Sequence, residues 1–146
     1  MNKQLLVPAL VCLAAAPVYS QTSNPFANQG KEWLLIGQNG KVSVFMNLLS
    51  LTPEGDHIAV SVRVYDGDRI HVQKWGYKDQ GTRYRCLAYA QYDRKTGNFI
   101  RNFDVDGEMW QPVIPDSMAE TGIKVIRAFI NEVLKQKEQE SSAPRI

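Results

Sequence analysis

The sequence predicts an α+β domain: an antiparallel β-sheet of about five to six strands with one amphipathic C-terminal helix packed on one face. Two periods in the 146-residue chain carry this expectation. Ile58, Val60, Val62 and Val64 alternate with His57, Ala59, Ser61, Arg63 and Tyr65, the pattern of a strand with one buried and one wet face. After Ser117 the period lengthens, and Met118, Ile123, Ile126, Phe129, Ile130, Val133 and Leu134 fall on one side of a helix. Turn clusters between the strand candidates are short, which allows only antiparallel neighbours. A greasy helical stripe then needs a sheet to cover.

Residues 1–20 begin with Lys3, continue through an apolar run over residues 5–16 and end at Val18-Tyr19-Ser20. That is the layout of a secretory signal peptide cleaved after Ser20. The run is shorter than the roughly 17–25 apolar residues that span a bilayer. Val11 precedes Cys12 where a lipidated cysteine needs a small residue, so no acyl anchor is expected. No later segment is long or apolar enough to span a membrane. The expected location is therefore the periplasm or the outer cell surface.

Residues 21–30 are polar and aperiodic and read as a flexible leader. Lys31-Glu32-Trp33-Leu34-Leu35-Ile36 is a first strand, Asn39-Gly40 a tight hairpin, and residues 42–47 the returning strand. Pro53-Glu54-Gly55-Asp56 turns the chain into the alternating strand, and Asp66-Gly67-Asp68 ends it. Residues 70–78 are ambiguous, and residues 83–92 carry rings on both faces. Lys95-Thr96-Gly97-Asn98 leads into residues 99–105. Ser117 with Glu120 forms a capping box just past Pro115. Lys135 and Lys137 suit a helix C-terminus, leaving residues 138–146 as a polar tail and residues 31–137 as the folded domain. Trp33 and Trp110 are expected in the core, where large rings bury much area.

Composition narrows the function. The 126 residues after cleavage suffice for a core without zinc or a disulfide framework. A 44% apolar and 22% charged composition excludes wholesale disorder and coiled coils. Formal charge is +2, or +1 once Lys3 leaves, which excludes a generally basic nucleic-acid binder. With Cys12 removed, Cys86 stands alone and can form no intramolecular disulfide; its expected role is that of a small buried hydrophobe.

Catalytic motifs are missing from the chain: it has no Gly-x-Ser-x-Gly elbow, phosphate-binding glycine loop, His-Glu-x-x-His or Cys-x-x-Cys. His57 and His71 start neighbouring strands but lack a third metal ligand. Asp104-Val105-Asp106-Gly107-Glu108 has alternate carboxylates but no distant bidentate glutamate, so a polar turn explains it. No cofactor and no enzymatic activity are expected. The distinctive stretch is residues 69–85, where Arg69, Lys74, Lys78, Arg83 and Arg85 are offset only by Asp79 and interleaved with Trp75, Tyr77 and Tyr84. Cations and rings together suit protein, glycosylated or anionic partners. Arg69, Lys74, Trp75, Tyr77, Arg83, Tyr84 and Arg85 are the expected contact residues. A solvated sheet edge with gatekeeping cations would look similar.

The chain resembles the surface-adhesin protein E family of small exported bacterial domains. The likeness rests on Glu32-Trp33-Leu34-Leu35-Ile36-Gly37, on Ser50-Leu51 before a Glu-Gly turn, on Ala90-Gln91-Tyr92-Asp93, and on Trp110-Gln111-Pro112-Val113-Ile114-Pro115-Asp116-Ser117, covering residues 31–133. The resemblance implies an antiparallel sheet with a packed helix, an export signal and, for the namesake, adhesion to host matrix proteins and dimer formation. Family members often carry cysteines near the end of the central strand and in the final helix. Here Arg94 follows Asp93 and the helix has none. The leading expectation is a non-enzymatic exported interaction domain for a protein or polyanionic partner, with no nucleic acid involved. The alternative is a periplasmic envelope accessory or structural protein, forming a homodimer through a strand edge or Cys86.

Overall fold

A computed structural model describes residues 24–26 and 30–142, so the signal-peptide reading of residues 1–20 lies outside the described residues. The strands are β1 (Trp33–Asn39), β2 (Val42–Glu54), β3 (His57–Asp66), β4 (Arg69–Lys78), β5 (Arg83–Asp93), β6 (Phe99–Asn102) and β7 (Gln111–Pro112), followed by helix α1 (Met118–Ser142). Strands β1 to β6 form one antiparallel meander in sequence order, and β7 pairs with the start of β5 beyond the reach of β6. The α+β sheet-and-helix architecture read from the sequence is therefore the observed one, with the short β7 as an addition.

Three consecutive hairpins share one turn design. Asn39 pairs with Val42, Glu54 with His57 and Asp66 with Arg69, each leaving a two-residue loop led by glycine. Gly40, Gly55 and Gly67 have φ of 59°, 63° and 59°, while the second loop residue is not left-handed. That is the type II′ signature, whose twist matches the flanking strands. The Asn39-Gly40 pair thus lies one residue out of the frame expected for a turn with two positive φ angles.

Strand β2 runs seven residues past its expected end, to Glu54. It does so through a bulge in which Asn47 pairs with Ser61 and Thr52 with Ala59, leaving residues 48–51 opposite Val60. Leu48 and Leu51 pack on the core, Leu49 faces water at 75% exposure, and Ser50 Oγ accepts the Ser61 N–H at 2.8 Å. The side chain replaces a lost ladder bond.

One face of the sheet carries Val44, Met46, Val60, Val62, Trp75 and Tyr77, on which Ile123 and Ile126 of α1 close the main core. At the helix start Glu120 N–H donates to Ser117 Oγ at 3.2 Å, as the capping box requires. The Glu120 carboxylate reaches one residue further back than expected, to the Asp116 N–H at 3.0 Å. Helix α1 continues to Ser142, so residues 138–142 are helical and not a polar tail; residues 143–146 lie outside the described residues. Glu138, Gln139 and Glu140 are good helix formers, and no glycine or proline intervenes.

The opposite, helix-free face holds a second cluster of Phe26, Tyr65 and Ile70, with Phe45, Val72 and Tyr92 around it. Phe26 belongs to the segment read as a flexible leader, yet its ring is buried against Tyr92 at 5.1 Å. Asn24 Nδ2 donates to the carbonyls of Arg94 and Lys95 at 2.7 and 3.0 Å. A short piece of the leader is therefore docked, because an apolar ring and an amide found partners on the sheet.

Candidate binding face

Side chains on a strand alternate between faces, and directly paired residues on neighbouring antiparallel strands share a face. This rule splits the interleaved stretch in two. Trp75 pairs with Val60, Tyr77 with Ile58 and Tyr84 with Tyr77, so all three rings lie on the helix side. Trp75 and Tyr77 are buried under α1, and Tyr77 Oη donates to the Ala119 carbonyl at 2.9 Å. These rings were expected on a contact surface; the structure makes Trp75 and Tyr77 core and leaves Tyr84 half-buried against them, since an apolar ring on the helix side is worth more buried. Desolvation and the neighbouring Tyr84 push the Tyr77 hydroxyl well above its ordinary pKa.

The cations lie on the other side. Lys74 pairs with Ser61, Lys78 with His57, Arg83 with Lys78 and Arg85 with Gly76, which places all four on the helix-free face. Arg69 stands apart, on the helix side at the far end of β4, with Asp68 and Asp93 at 3.3 and 3.6 Å. Of the seven expected contact residues, the structure brings together Lys74, Arg83 and Arg85.

Their ring comes from elsewhere in the chain. Between β6 and β7 the backbone wraps the β5 edge, burying Val105, and lays Trp110 against β4. Gly76 is the seat: a Cβ there would stand 2.8 Å from Leu87 Cδ1 and 3.0 Å from Trp110 Cη2. Lys78 Nζ sits 4.7 Å and the Arg85 guanidinium 5.8 Å from the indole centroid, with the His57 ring at 5.2 Å. Arg83 Nη1 donates to the Trp110 carbonyl at 3.3 Å, and Arg85 Nη2 to that of Val105 at 3.2 Å. Trp110 is half-buried on the face opposite the main core, a correction to its expected place. Trp33 is likewise half-buried, with the Arg63 guanidinium 4.1 Å from its ring centroid and 4.9 Å from that of Phe26. Sequence reasoning missed Trp110 as a site residue; the usable signal was Gly76, a glycine inside a strand, which marks close approach.

Carboxylates answer most of these cations. Lys74 meets Glu54, Lys78 lies 4.0 Å from Asp56, and Arg83 lies 3.7 Å from Asp79. The Lys74 ammonium, donating to Glu54, holds that carboxyl below its ordinary pKa; His57 does the same for Asp56. Arg85 has no carboxylate within 4.0 Å among the described residues.

The helix side beyond α1 offers less chemistry. His71 Nδ1 and Tyr89 Oη are hydrogen-bonded at 2.6 Å, and burial holds the imidazole below its ordinary pKa against the pull of Asp66. Cys86 is half-buried with Sγ 3.1 Å from the Ala88 carbonyl, and desolvation pushes its thiol up, away from a reactive thiolate. Among the described residues no group of three or more His, Cys, Asp or Glu could hold a metal, and no helix is long and apolar enough to cross a membrane. Comparison with protein-family models, curated proteins and solved structures finds no match to the chain.

Proposed function

We propose that this chain is a non-enzymatic, exported interaction domain that engages a protein partner through the Trp110 cluster on its helix-free face. The observation that carries the reading is a half-buried indole held on the outside of a sheet by Lys78, Arg85 and His57. Tryptophan and arginine are the residues that dominate protein–protein interfaces when a partner desolvates them. Carboxylates of Glu54, Asp56 and Asp79 interspersed among the cations favour a protein surface over a uniform polyanion. The resemblance to surface-adhesin protein E points the same way and suggests host matrix proteins as the first partners to try.

The test is binding of the mature domain to immobilised matrix proteins and, in a parallel arm, to heparin. Trp110→Ala should weaken matrix-protein binding at least tenfold, the scale of an interface hot spot. No binding of the unaltered domain to any matrix protein, or equal binding by Trp110→Ala, overturns the proposal; binding to heparin alone replaces the protein partner with a polyanion.

The envelope-accessory reading draws on a different feature. Leu34 and Leu35 are 45% and 47% exposed on edge strand β1, a place where another strand could pair. Release by osmotic shock, with protection from protease added to intact cells, would favour it over surface display.

A further inference from the structure

On the helix side a groove runs between α1 and the β2–β3 hairpin; its inner end borders His57 and Lys78 of the Trp110 cluster, and Trp110 itself does not line it. It consists of two depressions of about 500 and 290 Å³ that share Pro53, Ile58 and Ile130. Cavities of that size are typical of small-ligand sites. Leu51, Ile58, Phe129, Ile130, Val133 and Leu134 line its outer half, where Thr52 is the one polar residue besides the Pro53 backbone. The walls are wet in the free protein, with Ile130 41% and Leu134 52% exposed.

The inner end is polar and firmly built. The β4–β5 turn holds Asp79 and Gln80 at φ of 52° and 59°, a left-handed conformation that non-glycine residues adopt at a cost. Arg127 of α1 fixes the turn by donating from Nη2 to the Gln80 carbonyl at 2.5 Å. The two carboxylates at this end already have partners: Asp79 has the Arg83 cation at 3.7 Å, and Asp56 has the His57 ring at 3.1 Å and the Lys78 cation at 4.0 Å. Arg127 has no carboxylate within 4.0 Å among the described residues. Its planar fork carries five donors, so most remain for a ligand.

We infer that the groove binds a single-chain fatty acid, with the acyl chain along Ile130 to Leu134 and the carboxylate on Arg127. Charge complementarity sets the direction, since Asp56 and Asp79 at the inner end already have basic partners and Arg127, which has no carboxylate within 4.0 Å among the described residues, is the guanidinium left to pair bidentately with a ligand carboxylate. Hydrogen-bonding capacity sets the class. A peptide would bring backbone N–H and C=O groups against walls that cannot satisfy them, whereas an acyl chain brings none. From Arg127 to Leu134 the helix rises about 10 Å, a length that suits a medium chain.

The probe is dodecanoate, titrated below its micellar concentration into the mature domain by calorimetry. The expected result is one saturable site, with affinity rising about fourfold for each methylene added between octanoate and dodecanoate. Ile130→Glu places a charge on an exposed wall and should abolish binding without changing thermal unfolding. Arg127→Gln should weaken dodecanoate at least tenfold while leaving dodecanol unchanged, and Arg127→Lys should recover part of the loss. Trp110→Ala should leave dodecanoate binding intact, which separates this groove from the partner face. The inference is overturned by no saturable binding, by equal affinity in Ile130→Glu and Arg127→Gln, or by capture of an apolar decapeptide in preference to dodecanoate.

Discussion

Replacing Gly122 by alanine should destabilise this protein, although the same change in most helices stabilises them. Intrinsic helix propensity favours alanine by about 0.8–1.0 kcal/mol. Gly122 is buried in α1, however, and a Cβ there would stand 2.5 Å from Tyr77 Oη and 3.0 Å from Met46 Cε. The methionine end can swing aside. The tyrosine cannot, because its ring is 2% exposed and its hydroxyl is bonded to the Ala119 carbonyl at 2.9 Å. Making room moves that hydroxyl off its acceptor, and a buried hydroxyl without a partner costs about 1–3 kcal/mol. Overpacking the surrounding core adds about 1–3 kcal/mol. Even the low end of these two terms exceeds the propensity gain, so the net effect is a loss of about 1–5 kcal/mol.

For a domain of this size that loss lowers Tm by roughly 4–20 °C, measured by circular dichroism on residues 21–146. Tyr77→Phe supplies the control. With the oxygen gone the new methyl group meets less resistance, so Gly122→Ala should cost at least about 1 kcal/mol less in the phenylalanine background. An unchanged or higher Tm for Gly122→Ala, or an additive double-mutant cycle, would refute the close helix–sheet approach on which the core depends.

Three further outcomes follow from single contacts. Gly76→Ala should unseat Trp110, because the added methyl would stand 3.0 Å from the indole and 2.8 Å from Leu87; acrylamide should then quench Trp110 more readily than in the unaltered domain, and equal quenching would count against the seat. Asp93 is held below its ordinary pKa of 3.8 chiefly by the backbone N–H groups of Thr96 and Lys95, with Arg69 adding its charge. Its contribution is therefore complete above pH 3.8 and is lost as pH falls through the lower folded-state value. Asp93→Asn should flatten the fall in stability between pH 5 and pH 2 seen in urea unfolding, and an identical slope would remove Asp93 from the acid response. Ser50→Ala should leave the Ser61 N–H unpaired and cost about 1–3 kcal/mol, with faster hydrogen exchange at Ser61 as the local signature; unchanged exchange would show that water fills the gap.

The fold was legible where the chain obeys a single period, and obscure where side chains override it. Residues 58–64 alternate without a break and became β3; Ser117 and Glu120 marked the start of α1. The bulge in β2 left no such mark, since Leu48, Leu49 and Leu51 look alike in sequence while only Leu49 points to water. Lysines near a C-terminus are favourable but do not stop a helix, so α1 runs past Lys137 to Ser142. Helices commonly stop at a left-handed glycine or asparagine or before a proline, and residues 135–142 contain none of these.

The candidate binding face shows why counting residues along a strand misjudges a surface. Residues 69–85 carry cations and rings in close succession, and linear proximity suggested one mixed patch with a net charge of +4. A strand of period two does the reverse: it sends Trp75, Tyr77 and Tyr84 to the helix side and Lys74, Lys78, Arg83 and Arg85 to the other face. The ring that Lys78 and Arg85 meet, Trp110, lies 27 residues beyond Arg83, which donates to its carbonyl, and reaches them only because the segment after β6 wraps the sheet edge. The carboxylates that offset them come partly from the β2–β3 hairpin, through Glu54 and Asp56, and these also stand outside the counted stretch. Local neutrality then has a consequence for recognition. A surface whose cations are mostly answered gains little from long-range attraction, so binding there should depend on the indole and its fit, and should weaken only slightly between 50 and 200 mM salt.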